Sequence, residues 1–380
     1  MAGSQPFELV MIQPTPYCNI QCSYCYLSEV RRNTKAVMSD EVLEAVCDRI
    51  FRSALLPADA TVNFLWHAGE PLAVPIGFYE NAVLRIAAAK PAWVNVTHSV
   101  LSNGIAVNER WCNFFKEHEF DVGLSIDGSE RLHNANRLSR NGLGTFRLAE
   151  RALQLLQLHG LDPYVLTTVH ELTLDSASEL FDFYRSHGVT RIGLNFEEMI
   201  GNRLASTFKL DQVEARVRSF LREFYHLYQA DGSIFVREFD SLKHILLQRI
   251  DLNRHSLDTV TPLSIVTIDH EGYFSSFAPE LADVKHPLYG DFSFGNVLTS
   301  SFEDAAASDK FRDVSADIRL GVEMCRASCE YFPVCGANLP AHKLAENGKF
   351  SSTETLNCRL SVKAVSDIVV DYLLQTSAEL

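Results

Sequence analysis

Six apolar runs, Phe7–Gln13, Thr61–Trp66, Val94–Leu101, Val122–Ile126, Tyr164–Val169 and Ile192–Phe196, alternate with amphipathic stretches over the first two hundred residues. The stretches between them, Ser39–Ser53, Ile76–Ala89, Asn108–Glu117, Thr145–His159 and Ser176–Ser186, carry helical spacing. Ser39 ahead of Asp40, Glu41, Val42 and Leu43 is a helix start, and Gly160 and Gly188 sit where C-terminal caps fall. Such alternation leads to a parallel sheet with right-handed crossovers. Six units predict an α/β fold, a partial (β/α)6 TIM-type barrel, not a closed eightfold one.

In sheets of this kind chemistry gathers at the carboxyl ends of the strands. Polar groups recur there along this chain: a cysteine loop after the first run, His67-Ala68-Gly69-Glu70-Pro71 after the second, and Ser102-Asn103-Gly104 after the third. Ser125-Ile126-Asp127-Gly128, Thr168-Val169-His170 and Asn195-Phe196-Glu197-Glu198 follow at the next three. One such group alone would be an ordinary loop; their agreement on one rim predicts a site.

The cysteine loop reads Cys18-Asn19-Ile20-Gln21-Cys22-Ser23-Tyr24-Cys25, a C-x3-C-x2-C run. Three thiolates this close can hold three irons of a cubane [4Fe–4S] cluster and leave the fourth open to a small molecule. A structural zinc site takes four ligands, commonly in two paired knuckles, and no fourth Cys or His lies nearby. An odd total of 9 cysteines in 380 residues does not suggest a disulfide framework. Asn19, Gln21 and Ser23 mark a polar loop, not a core segment.

Composition sets the remaining limits. A chain of 380 residues exceeds the usual single core, so a large domain and a smaller one are expected. The formal net charge of −14 argues against general affinity for nucleic acid or anionic membrane. No apolar run approaches the roughly 20 residues of a membrane span. Met1–Pro6 lacks the charged and apolar parts of a signal peptide, so a reducing cytoplasm is the expected location. From Lys209 the pattern turns helical, with Val213, Val217, Phe220, Phe224 and Leu227 on one face. Beyond residue 258, Ser264–Ile268 and Tyr273–Phe277 flank the turn His270-Glu271-Gly272 and predict a β-hairpin, and four cysteines follow. The expected division is a barrel over 1–208, a helical connector over 209–258 and an α+β extension over 259–380.

The cysteine run resembles the signature of the radical S-adenosylmethionine (SAM) enzymes. In that family the open iron chelates SAM, and one electron cleaves it to a 5′-deoxyadenosyl radical. Ala68-Gly69-Glu70-Pro71 resembles the family's Gly-Gly-Glu-Pro motif, with Ala68 for the first Gly, which implies that this backbone and Glu70 receive the methionine ammonium. Ser125 and Asp127 lie in a similar Ser-Ile-Asp-Gly segment, implying contacts to the SAM ribose or carboxylate. Asn103 falls where the family often carries Thr-Asn, with Ser102 replacing Thr. Arg137 matches an Arg that pairs with the SAM carboxylate, a task that suits a planar guanidinium. Tyr24 matches an aromatic position that packs near adenine. Cys325-x3-Cys329-x5-Cys335 with Cys358 resembles the twitch form of the SPASM extension, implying one auxiliary [4Fe–4S] cluster; a four-cysteine zinc site is the rival. A full SPASM domain holds two such clusters and needs more cysteines, and Cys47 and Cys112 fall on expected helices as apolar thiols.

Trp66–Leu72, Val122–Gly128, Gly142–Phe146, Ser276–Leu281, Gly290–Val297 and Phe350–Leu356 are similar to stretches of radical SAM/SPASM peptide maturases, closest to the branch that forms three-residue cyclophanes. That resemblance implies a ribosomal precursor peptide as substrate, crosslinked between an aromatic ring and a nearby β-carbon. It also implies a reducing partner such as flavodoxin or ferredoxin, and an electron that leaves through the auxiliary cluster. Glu280 and Asp291, then Glu197 and Asp240, are the candidate acceptors of the departing proton. Ala337-Asn338-Leu339 departs from an expected Gly-rich stretch, and Leu101-Ser102-Asn103 from Gln-Thr-Asn. A twitch-bearing oxidation or sulfur insertion on a small metabolite is the alternative. A sulfatase maturase would need the fuller cysteine set, and an iron sensor would leave Glu70, Ser125, Asp127 and Arg137 without use.

Overall fold

Alternate burial turns the apolar runs into strands: Val10, Ile12, Val62, Phe64, Trp66 and Leu124 have no exposed surface, while Leu9, Asn63 and Leu65 on the other face are half-buried. In the computed structural model, which describes residues 4–197, 200, 206–209, 211–248, 257–337 and 339–378, they become β1 (Leu9–Ile12), β2 (Thr61–Trp66), β3 (Asn95–Ser102), β4 (Asp121–Ser125), β5 (Tyr164–Val169) and β6 (Arg191–Phe196). These six pair in chain order, all parallel. The register sets Ile12 beside Trp66, Ser102 beside Leu124 and Val169 beside Phe196, so the loops that follow them emerge on one rim. The fold is α/β around a parallel sheet.

The intervening helices are α1 (Asp40–Phe51), α2 (Ile76–Ala89), α3 (Glu109–Glu117), α4 (Phe146–Leu158) and α5 (Ala177–Ser186). Ser39 caps α1 by accepting from the Val42 N–H at 3.2 Å, which supplies an acceptor for an otherwise orphaned donor. Gly160 and Gly188, just past α4 and α5, take left-handed backbone.

The sheet runs on beyond the sixth strand. α6 (Val213–Asp231) leads to β7 (Phe235–Val236), which adds parallel to β6, and to α7 (Arg237–Leu247); residues 249–256 of the expected connector lie outside the described residues. The expected hairpin forms as β8 (Ile265–Ile268) and β9 (Tyr273–Ser276). It does not stand apart: β8 pairs parallel with the free edge of β1, Leu9 opposite Ile265 through Ile12 opposite Ile268. With β10 (Gly295–Asn296) outside β9, one ten-stranded sheet runs β10-β9-β8-β1-β2-β3-β4-β5-β6-β7 and takes strands from all three expected segments.

The rest of the extension holds α8 (Asp309–Ser328) and closes with α9 (Ala364–Ala378). α9 packs back on α6, where Tyr372 meets Tyr225 at 5.3 Å and Asp367 pairs with Arg218 at 2.6 Å. Among the described residues no helix is long and apolar enough to cross a membrane.

Three fully buried rings clamp the hairpin to the first strand: Phe302 sits 4.9 Å from Phe7 and 4.7 Å from Phe274. Phe302→Ala is expected to remove about 3–5 kcal/mol of stability, read as an earlier midpoint in guanidinium unfolding. A loss confined to a separate C-terminal transition would show that the hairpin is not part of the main core.

Candidate active site

The loops of the rim line one cavity of about 230 Å³ that contains Cys18, Cys22 and Cys25. The loop carrying them is pinned at both ends. The Cys18 N–H donates to the Arg32 carbonyl at 3.1 Å, and Arg140 Nε donates to the Cys18 carbonyl at 2.9 Å while its guanidinium lies 4.9 Å from the Tyr17 ring centre. Ile20–Cys22 then pairs antiparallel with Arg137–Ser139, which sets Arg137 opposite Cys22. Arg137 Nη1 stands 3.8 Å from Cys22 Sγ, and Asn103 Nδ2 stands 3.9 Å from Cys18 Sγ. Burial pushes the Cys22 thiol up to about 12 and the Cys18 thiol higher still. Three sheltered sulfurs, two with donors aimed at them, fit a metal cluster that takes thiolate ligands.

Glu70 ties the next two loops to this one. Its carboxylate accepts from Ser102 Oγ at 2.7 Å and from the Asn103 and Leu72 N–H groups at 2.9 Å each. Its own N–H donates to the Tyr17 carbonyl at 2.7 Å. Burial pushes its pKa up, against three hydrogen bonds that favour the charged form. The preceding turn is tight: a Cβ on Gly69 would lie 2.4 Å from the Thr15 carbonyl oxygen. Ala68 sits at φ +68°, so the position where the family motif has its first Gly keeps a glycine conformation in an alanine, at about 1 kcal/mol.

Asp127, expected to reach SAM, is instead fully buried behind the wall. Its Oδ2 accepts from the Tyr24 hydroxyl and from Arg137 Nε at 3.0 Å, and its Oδ1 from the Thr168 N–H at 2.9 Å. Burial works against the charge, yet the adjacent Arg137 holds the carboxyl below the usual carboxylate range. The Arg137 guanidinium also lies 5.3 Å from the Tyr24 ring centre. Asp127 therefore positions Tyr24 and Arg137, and those two face the cavity. His133 locks this unit: the Asp127 N–H donates to His133 Nδ1 at 3.4 Å, His133 Nε2 lies 3.0 Å from Thr145 Oγ1, and that hydroxyl donates to the Arg137 carbonyl at 2.8 Å.

Ser125, Glu197 and Glu280 are on the cavity wall. Glu197 is also bonded to the Thr207 N–H at 2.7 Å. Asp291 is not on this wall; it pairs with Lys310 in a neighbouring cavity of about 860 Å³, which meets the first at Tyr26, Leu27 and Ala68. Asp240 is structural, accepting from Tyr228 Oη at 2.5 Å and the Val236 N–H at 2.7 Å. Glu198 and Asn338 lie outside the described residues. Two wall residues escaped the sequence reading: Tyr26, whose buried hydroxyl has no partner among the described residues, and Arg32, whose Nε and Nη1 are likewise unpartnered. The short helix Glu29–Asn33 that aims Arg32 inward has no strong apolar period.

Cys325, Cys329, Cys335 and Cys358 line a separate cavity of about 480 Å³ in the extension. Cys325 and Cys329 close the end of α8, Cys335 ends the short helix Phe332–Cys335, and Cys358 opens a π-helical turn, Cys358–Lys363, before α9. Ala337 and Leu339 both take φ above +60°, the conformation a Gly-rich stretch would have supplied after Cys335. Among the described residues Asp269, His270 and Glu271 bring three ligand atoms within 4.8 Å of one another.

The sequence profile of the Radical SAM superfamily matches residues 12–184. Over 97% of its length the chain is 38% identical to the uncharacterized protein sll1766 of Synechocystis sp., 92% of which is covered. It is 29% identical to a cysteine-type anaerobic sulfatase-maturating enzyme of Clostridium perfringens, over 87% of this chain and 88% of that one. The fold superposes on native anSMEcpe with bound AdoMet and Cp18Cys peptide at a TM-score of 0.77 and 20% identity, covering 99% of this chain and all of that one. It superposes on Streptococcus suis SuiB bound to precursor peptide SuiA at 0.64 and 11% identity, covering 93% and 76%.

His133 gives the site an acid limit. Burial pushes its pKa down to about 4, against an ordinary value near 6.5. A depressed folded pKa means that its contribution is complete above 6.5 and is lost as pH falls from there toward 4, by roughly 3 kcal/mol. His133→Asn, which can keep an acceptor near the Nδ1 position, is expected to flatten the decline of urea stability between pH 7 and 4.5. Equal pH slopes in the two proteins would remove His133 from this role.

Proposed function

We propose that the chain, whose residues 12–184 match the Radical SAM superfamily, is a maturase that oxidatively crosslinks a ribosomal precursor peptide, joining an aromatic ring to a nearby β-carbon. The superfamily implies SAM and a [4Fe–4S] cluster. Cys18, Cys22 and Cys25 would hold the cluster, and Tyr24, Ala68, Gly69, Glu70, Asn103, Ser125 and Arg137 would hold SAM. When bound, cluster and SAM supply a carbon-centred radical able to take hydrogen from an unactivated C–H bond.

The observation that carries the reading is the convergence of three sheltered thiols with the Glu70 and Asp127–Arg137 networks on one cavity at the strand ends. Glu70 fixes three loops around that cavity, and Asp127 holds Tyr24 and Arg137 in place without touching the ligand. Leu166, Phe196 and Ile200 give it apolar walls that exclude water. Glu280 is on the wall beside Tyr26, and we assign to it the proton that leaves the aromatic ring. Asp291, tied to Lys310 in the neighbouring cavity, is the weaker candidate. A peptide substrate is supported by the peptide-bound anSMEcpe and SuiB structures and by that 860 Å³ cavity opening beside the site.

The same reading takes the six parallel strands as a partial (β/α)6 barrel and residues 259–380 as a twitch/SPASM-like extension. There Cys325, Cys329, Cys335 and Cys358 would hold an auxiliary [4Fe–4S] cluster, which would supply an acceptor for the one electron that crosslinking releases. The reducing electron comes from a flavodoxin- or ferredoxin-type partner in the cytoplasm.

Mass spectrometry of a short peptide encoded beside this gene, co-expressed with the enzyme under low oxygen, tests the proposal. A loss of two hydrogens, located at an aromatic residue and the residue two positions on, is expected. An unmodified peptide, with SAM still cleaved in vitro, would move the substrate to a small metabolite. Cys18→Ala, Cys22→Ala and Cys25→Ala together are expected to abolish 5′-deoxyadenosine formation, and retained formation would sink the assignment. Replacing Cys325, Cys329, Cys335 and Cys358 by Ala is expected to remove about four irons; unchanged iron with loss of zinc would reverse that part.

A further inference from the structure

The cavity of the four C-terminal cysteines contains a lysine whose surroundings differ from those of every other cation on its wall. Lys343, on the helix Pro340–Asn347, is 5% exposed. Its Nζ donates to the Gly321 carbonyl at 2.9 Å and to Cys325 Sγ at 3.2 Å. No ion pair among the described residues gives it a carboxylate. The packing that encloses it is tight, since a Cβ on Gly321 would meet the Phe350 carbonyl oxygen at 2.2 Å and Lys343 Nζ at 3.3 Å. Lys363 on the same wall is the contrast: it is partly exposed and pairs with Glu354, a carboxylate that it shares with Arg359.

A buried ammonium is costly unless an anion faces it. The group that faces Lys343 is Cys325 Sγ, which as a metal ligand would be a thiolate. Hydrogen bonds and charges at ligand sulfurs are among the levers that set an iron–sulfur potential. An electron entering such a site without a proton adds one negative charge, and a fixed cation at a ligand sulfur favours that state.

We propose that Lys343 is a positioning residue that raises the reduction potential of the auxiliary site, so that this site, and not the SAM-binding one, takes the electron released from substrate. The proposal rests on the reading of Cys325, Cys329, Cys335 and Cys358 as iron–sulfur ligands.

The test is a redox titration of the iron-loaded full chain, followed by electron paramagnetic resonance with and without SAM. SAM marks which signal belongs to the Cys18–Cys25 site. Lys343→Met is expected to move the auxiliary midpoint negative by about 60 mV or more, a tenfold change in the one-electron equilibrium, and to leave the other signal in place. Lys343→Arg, which keeps the cation, is expected to stay near wild type. An unchanged auxiliary midpoint in Lys343→Met, with its four irons present, would overturn the proposal and leave the cluster reading standing. Zinc at the site, with no auxiliary signal in wild type, would overturn that reading itself. Should Lys343→Met not fold, Lys343→Gln against Lys343→Arg decides: a lower midpoint for Gln supports the role of charge, and equal midpoints refute it.

Discussion

Two carboxylates without access to water, Glu70 and Asp127, hold the site in shape. Each parallel strand ends in a loop whose backbone N–H groups have left the ladder and need acceptors. Glu70 takes those of Leu72 and Asn103, and Asp127 takes that of Thr168. Glu70 thus joins the loops after β2 and β3, and Asp127 joins the loop after β4 to the end of β5. A buried charge is unfavourable alone, but here the donors are fixed by the strands themselves and little reorganises when a ligand arrives. Among the cavity-facing groups Asn103 is held by Glu70, and Tyr24 and Arg137 by Asp127.

Much of this was legible in the chain, and the parts that were not share a cause. The strand runs matched β1 to β6 within two residues at each end because every second side chain is buried in the core, which selects an apolar residue at each of those positions. Ser39, Gly160 and Gly188 announced helix ends because capping is local chemistry. The ribbon between Ile20–Cys22 and Arg137–Ser139 was not visible: three residues on each side carry no period, and the partners are far apart in sequence. The union of β8 with β1 has the same character, with Ser264 reaching Glu8 across 256 positions. Asp127 was expected to contact the cofactor, and the structure places it behind Tyr24 and Arg137; motif position alone cannot tell a residue on the wall from the one behind it. Arg32 had no motif to mark it.

The extension shows how a small region can spend conformational strain where ligands converge. Ala337 and Leu339 hold left-handed backbone just after Cys335, and a π-helical turn begins at Cys358. Strain of this kind persists where surrounding contacts over-determine it. Arg359 to Glu214 at 2.6 Å and Arg218 to Asp367 at 2.6 Å tie both sides of the cysteine pocket to α6. The pocket is therefore anchored to the same helix that packs against α5, where Phe224 meets Phe181 at 5.5 Å.

The attachment of β8 to β1 also orders events in time. A ribosome makes the cysteine loop about 240 residues before the strand that seals the far edge of β1. Until then β1 presents an open ladder edge, the feature that most invites pairing with foreign strands. The loop that follows β1 is the first part of the site to be synthesised and among the last to be enclosed, which leaves a window in which assembly factors can reach its thiols and in which a stalled or truncated chain is most prone to aggregate.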